Sequence, residues 1–277
     1  MTRLGLLIDV TRCSGCYNCF LACRDEHYGN DYPGYSAPQP LYDHFWLKVT
    51  EVEGGRYPRP RLDYIVQPCQ QCQDAPCEAA ARDGAVYRRA DGIVMIDPVK
   101  AKGQDQIAAS CPYRVISWNE ELDLPQKCGF CAHRLDEGVK APRCVEACPT
   151  GAMAFGDLDD PQSEVSLRLK EVSPEVFHPE YGTSPSVYYH GLPGRSVAGE
   201  VVLEGADVCA AGVVVTLKGD GETCETATDT YGQFVFKKLP KGATYTLTVA
   251  HDGYAPASCE VRTHTDVDLG EVVLTKA

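Results

Sequence analysis

Two patterns of apolar residues divide this 277-residue chain. Residues 4–10 form a short, nearly continuous apolar run, which predicts a buried strand. Residues 86–96 flank Asp91-Gly92 with alternating apolar positions and predict a hairpin. Residues 98–110, with Pro98 at the first position, predict a helix, and residues 115–118 predict a strand. Little else before residue 157 has a period. After residue 195 the pattern changes. Seven β-type segments follow, at 197–203, 213–218, 223–228, 233–237, 244–250, 257–262 and 267–274. Gly205, Gly219-Asp220-Gly221, Tyr231-Gly232, Pro240-Lys241-Gly242 and Asp252-Gly253 punctuate them. Short strands so spaced predict a β-sandwich. Between the two regions, residues 157–195 carry Pro161, Pro174, Pro179, Pro185 and Pro193 and read as an extended connector. The expected class is therefore α+β, with domains at 1–156 and 196–277.

A chain this long, 44% hydrophobic, can bury a core without cysteine staples. It nevertheless has 15 cysteines, and twelve lie between Cys13 and Cys148, where periodic structure is sparse. Metal bonds are expected to replace a large core there. The run Cys13-x2-Cys16-x2-Cys19-x3-Cys23 has the bacterial ferredoxin spacing. Three of its thiolates wrap one cubane and the fourth reaches a second. Cys128-x2-Cys131-x12-Cys144-x3-Cys148-Pro149 is the same motif with an insertion. Crossed pairing assigns Cys13, Cys16, Cys19 and Cys148 to one cluster and Cys23, Cys128, Cys131 and Cys144 to another.

Cys69-x2-Cys72-x4-Cys77 and the distant Cys111 form a third set. A four-cluster pattern would place further cysteines where Ala81, Ala101, Gln104 and Ile107 stand, so one complete site has been lost and three [4Fe–4S] clusters are expected. A zinc site with four thiolates is the alternative for this third set. Cys209, Cys224 and Cys259 lack ligand spacing and are expected to be buried thiols of the sandwich.

Formal net charge is −13, which argues against nucleic acid as a partner. Residues 1–156 hold 17 basic and 20 acidic residues, and residues 157–277 hold 9 and 19, so the acidity sits in the second half. Arg12, Lys127 and Arg143 each precede a cysteine. Such cations either favour a reduced cluster or belong to surface ion pairs. Pro68, Pro76, Pro112 and Pro149 stiffen the ligand loops. His27, His44 and His133 are expected to pack or face a partner, because three full cysteine quartets need no histidine ligand. Trp46 and Trp118 are expected in the core, and Asp25-Glu26 in a solvated helix turn. Gly103-x-Asp105 is too short for a dinucleotide fingerprint, and no catalytic set stands out, so no active site is expected in this chain. No apolar run approaches the roughly 20 residues that span a bilayer, and residues 1–10 leave no room for a signal peptide before Cys13. The expectation is a cytoplasmic protein without direct membrane contact.

Residues 1–156 resemble the iron–sulfur subunits that accompany molybdopterin enzymes of the dimethyl-sulfoxide-reductase family, most of all small subunits of the pyrogallol–phloroglucinol transhydroxylase type. The stretches that carry the resemblance include Cys13–Phe20, Pro33-Gly34-Tyr35, Arg56-Tyr57-Pro58-Arg59, Asp91-Gly92-Ile93-Val94, Trp118-Asn119-Glu120-Glu121 and Cys131-Ala132-His133. The tail, with Thr228-Asp229-x2-Gly232-x-Phe234, Leu239-Pro240-x-Gly242 and Tyr245, looks like a transthyretin-like or carboxypeptidase-regulatory-type sandwich. The resemblance implies a double ferredoxin-like domain and a non-catalytic electron-transfer role. It implies a large partner carrying molybdenum bis-pterin guanine dinucleotide that acts on polyhydroxylated aromatics by hydroxyl transfer, hydroxylation or dehydroxylation. A free-standing multi-cluster ferredoxin shuttling electrons between enzymes is the alternative.

Overall fold

The computed structural model describes residues 2–42, 44–219 and 221–277. The chain divides into two units: Met1–Glu51 with Tyr64–Leu192, and Val52–Asp63 with Pro193–Ala277.

The first unit is organised on strand Leu4–Asp9, which pairs antiparallel with Met153–Asp157 and parallel with Val187–His190. Leu6, Leu7 and Ile8 are all fully buried, as a central strand covered on both faces requires. Leu7 packs with Ala154 and with Val165 of helix Glu164–Glu171. Ser163 caps that helix by accepting from the Ser166 N–H.

Residues 157–192 are therefore not the extended connector that their prolines suggested. They contain a helix, a short 3-10 turn at Pro179–Tyr181 and a sheet strand. Pro161, Pro179 and Pro185 mark the edges of these elements. The informative signal was the helical spacing of Val165, Leu169 and Val172, which all pack in the cluster around Leu7.

The expected hairpin forms from Val86–Arg88 and Val94–Ile96, with Val86 opposite Ile96. The helix expected over residues 98–110 is only Asp105–Ala109. Gly103, at φ +68°, turns the chain so that its N–H donates to Asp123 O at 2.8 Å. The strand expected over 115–118 is shifted to Ser117–Asn119, paired with Leu124–Gln126. A second hairpin, Lys48–Arg56 with Arg59–Gln67, was not visible in the apolar pattern because its positions are mostly half-exposed.

The second unit contains, among the described residues, the seven strands that the tail predicts. Gln233–Leu239, Arg195–Leu203 and Val267–Leu274 form one sheet. Glu222–Ala227, Val214–Gly219, Thr244–Ala250 and Ala257–Arg262 form the other. Alternate residues of both sheets, among them Val197, Val201, Phe234 and Leu274 from the first and Val215, Leu217, Leu247 and Val249 from the second, share one core.

The hairpin tip 52–63 belongs to this unit through polar contacts. Asp266, 5% exposed, accepts from Gly55 N at 2.6 Å, Ser196 N at 2.6 Å and Ser196 Oγ at 3.0 Å. Arg59 pairs with Asp268 at 2.7 Å, and Arg61 donates to Gly194 O at 3.1 Å.

Burial acts to raise the Asp266 pKa, but these hydrogen bonds and the charge of Arg61 outweigh it and hold the carboxyl below its usual range. A depressed folded-state pKa contributes stability that is full above the unfolded value and is lost as pH falls through the folded one. Amide exchange at Gly55 and Ser196 is therefore expected to accelerate as pH drops below the ordinary carboxylate range, after correction for intrinsic exchange. Asp266→Asn should expose these amides already at neutral pH and remove most of the dependence. Leu247→Ala, at a fully buried position, should destabilise the sandwich by about 2–5 kcal/mol in chemical denaturation.

Candidate metal centres

The twelve N-terminal cysteines gather in space as three sets of four. Cys13, Cys16, Cys19 and Cys148 line a small pocket walled by Val49, Val66, Ala152 and Met153. Cys69, Cys72, Cys77 and Cys111 line another, walled by Ala75, Val94, Val115 and Ile116. The third set is the most enclosed: Cys23, Cys128, Cys131 and Cys144 are all buried. Burial drives the Cys23 and Cys144 thiols well above their usual pKa, and the neighbouring charges of Cys128 and Cys131 add to the shift.

The loops that present these thiols share a backbone device. In three of the four C-x2-C steps the residue before the second cysteine is left-handed, Gly15 at φ +66°, Gln71 at +50° and Phe130 at +52°, and in Cys16-x2-Cys19 it is Tyr17, one residue earlier, at +61°. Such a turn points successive N–H groups into the concavity, a nest for negative charge. The Phe130 N–H lies 3.4 Å from Cys128 Sγ, and the Ala152 N–H lies 3.3 Å from Cys148 Sγ. Backbone donors likewise favour the thiolates of Cys13 (from Gly15), Cys77 (from Glu78) and Cys111 (from Tyr113, Arg114 and Val115).

Desolvation is nonetheless the larger effect, and Cys19 and Cys72 are pushed up to about 12. These sulfurs become thiolates only when a cation replaces the proton. Gly15 also has no room for a side chain, because a Cβ there would stand 2.4 Å from the Tyr64 ring.

Four thiols around an otherwise apolar space, fringed with inward N–H donors, fit a [4Fe–4S] cluster.

The positions where a four-cluster pattern would place further cysteines are filled by other side chains. Ala101 and Ile107 are fully buried in the cluster that includes Ala85, Val86 and Ile116, and Ala81 packs against it. Gln104 closes the space by accepting from Arg82 N at 2.9 Å and donating to Lys100 O at 2.8 Å.

The expected accessory residues divide. His27, His44 and His133 are all buried. Burial, then the charge of His133, pushes His27 down to about 3, so its ring is neutral. Its Nε2 lies 3.7 Å from Cys131 Sγ, and its ring packs on Trp46 with centroids 4.5 Å apart. Trp118 is only half-buried, in the strand Ser117–Asn119. Glu26 is not in a solvated turn: it binds His133 at 2.9 Å and Tyr32 Oη at 3.2 Å, while Asp25 is exposed.

Arg12 donates to Thr150 O at 3.0 Å, and Arg143 is a half-exposed partner of Glu146 at 3.7 Å. Lys127 departs from the surface ion-pair reading. It is 6% exposed, and its Nζ donates to Val94 O and Cys128 O. Gln71, 0% exposed, was missed as well. It donates to Cys128 O at 3.0 Å and accepts from Val94 N at 2.8 Å, joining two cysteine loops. Its position inside a C-x2-C step was the available signal. In the tail, Cys209 is exposed, and Cys224 and Cys259 are half-buried at the core edge, rather than fully buried.

Residues 60–158 match the 4Fe-4S dicluster domain, and residues 196–275 match the carboxypeptidase regulatory-like domain. The pyrogallol hydroxytransferase small subunit of Pelobacter acidigallici is 39% identical over 99% of this chain and 100% of its own length. The chain belongs to the iron–sulfur subunits of dimethyl-sulfoxide-reductase-type molybdenum enzymes. Other members of that family are the arsenate respiratory reductase iron-sulfur subunit ArrB of Shewanella, 32% identical over 68% of this chain and 95% of its own, and a tetrathionate reductase subunit of Salmonella typhimurium, 34% identical over 69% and 73%. They are the electron-transfer subunits of molybdoenzymes, and this chain shares that role. No helix of the described residues is long and apolar enough to cross a membrane.

Gly15→Ala combines a disfavoured φ with collision against Tyr64. It is expected to deplete iron selectively at the Cys13 set, seen as loss of about four irons per chain with the other signals intact.

Proposed function

We propose that this chain is the non-catalytic redox subunit of a heteromeric molybdenum enzyme, and that it holds three [4Fe–4S] clusters. Cys13, Cys16, Cys19 and Cys148 would hold the first, Cys23, Cys128, Cys131 and Cys144 the second, and Cys69, Cys72, Cys77 and Cys111 the third. The clusters supply one-electron transfer with little change of shape. The chain's own contribution is to exclude water from the thiolates, to donate backbone N–H groups to sulfur, and to fix each quartet by short loops.

The large partner, with the molybdenum bis-pterin guanine dinucleotide, would carry the substrate site. The substrate class is a polyhydroxylated aromatic, on which the pair performs hydroxyl transfer, hydroxylation or dehydroxylation. One observation carries this reading: similarity to a pyrogallol hydroxytransferase small subunit runs through both the cysteine region and the appended sandwich. A reducing, cytoplasmic setting would keep the cysteines available as ligands.

The test is anaerobic purification of the tagged chain from its native host. About twelve irons and twelve sulfides per chain are expected, four of each per cubane, together with a large molybdenum-containing protein. The pair should then turn over pyrogallol or a related polyphenol. A monodisperse lone chain with full iron would favour the free ferredoxin instead, and zinc in place of iron would remove both readings. Cys72→Ser should lower the count to about eight irons, with the loss confined to one of three low-temperature electron-resonance signals.

A further inference from the structure

Lys127 sits between two of the thiol quartets. It directly precedes Cys128 of the second set, and its Nζ donates to the Cys128 carbonyl at 3.2 Å. On its other side lie Cys69 and Cys77 of the third set, with Cys69 in hydrogen-bonding contact. The second carbonyl it binds is that of Val94.

That residue is itself fixed, since its N–H donates to Gln71 Oε1 at 2.8 Å and Gln71 Nε2 donates back to Cys128 O at 3.0 Å. Lys127, Val94, Gln71 and Cys128 thus close a ring of hydrogen bonds joining the two loops. Every member of the ring is buried.

We propose that Lys127 is a shared positive counter-charge for these two metal sites, raising the reduction potential of both and that of the Cys69 site more.

The inference rests on the proposal that both quartets hold [4Fe–4S] clusters. The side chain is 6% exposed and its Nζ donates to two carbonyl oxygens, so an ammonium at this position lies where its field is least screened. A cluster with four thiolates gains one further negative charge on reduction, and a cation at short range in a low dielectric favours that state. The asymmetry follows from placement: Cys69 and Cys77 of the third set, but only Cys128 of the second, lie around the ammonium. Two anionic sites lying close together also repel one another's electrons, and a cation placed between them lessens that repulsion.

The experiment is a dithionite titration of the purified complex followed by low-temperature electron resonance. Dithionite supplies the electron, each cluster takes one, and no bond or proton changes hands at the protein. The signal altered in Cys72→Ser identifies the Cys69 site. In Lys127→Met and Lys127→Gln, the Cys69 site is expected to become at least tenfold harder to reduce, a downward shift of about 59 mV or more. The Cys128 site should shift in the same direction by less. The third signal should stay in place. Lys127→Arg, which keeps the charge, should remain near wild type.

Neutral variants with full iron and unmoved or raised potentials at the Cys69 and Cys128 sites would overturn the proposal. If a neutral variant loses iron from these two sites, Lys127→Arg decides: retention of iron by Arg supports a requirement for charge, and loss in Arg as well overturns it in favour of a packing role. Wild-type protein lacking iron at either site would instead mean that the functional reading itself has failed.

Discussion

The structure of the first unit depends on housing twelve cysteine sulfurs among apolar walls and backbone donors, with Cys16 alone of the twelve exposed. A thiolate in an apolar cavity is costly unless donors and cations surround it. That requirement explains why each C-x2-C step adopts a left-handed turn, why N–H groups of Gly15, Phe130 and Ala152 aim at sulfur, and why aliphatic residues such as Val49, Val66, Val115 and Ile116 wall the cavities. It also explains the scarcity of long elements. Helices Pro76–Ala80, Ala132–Asp136 and Arg143–Glu146 are one turn each, because their task is to place a cysteine and then release the chain. The apo thiols hold their protons strongly, so metal loading and the completion of this unit are linked events.

Much of this was legible in the residues. Cysteine spacing is a direct geometric record, because ligands of one loop must reach one body. The strands of the tail were legible for a different reason: alternation is forced when two sheets share a core, as Phe234 and Phe236 or Tyr245, Leu247 and Val249 do. What escaped was structure without a period. The hairpin of Lys48–Arg56 is half-exposed on both faces, so its alternation is blurred. Prolines at element edges in residues 157–192 imitated a linker. Lys127 and Gln71 were misjudged or unseen because polar residues are usually on the surface. Only three-dimensional placement reveals that each has buried partners.

The positions where a four-cluster pattern would place further cysteines are packed instead, and an unfilled space there would forfeit contacts. Here Ile107 occupies the interior with Ala81 and Ala101 around it, while Gln104 satisfies backbone groups of Arg82 and Lys100. The replacement is a small apolar core with one polar lid. It buttresses the hairpin that carries Val94, and through Val94 the loops of the neighbouring cysteines.

The tie between Asp266 and Gly55 bears on how the tail could have been inherited. The second unit is discontinuous, because a twelve-residue insert from the cysteine region, Val52–Asp63, completes it. Gene fusion alone would deliver the strands from Arg195 onward but not the loop that occupies the carboxylate's hydrogen bonds. Transplanting this tail onto a relative would thus strand Asp266 with a missing donor. The two segments have to evolve as a pair, so exchange of the appendage among these subunits is constrained by a site more than two hundred residues upstream.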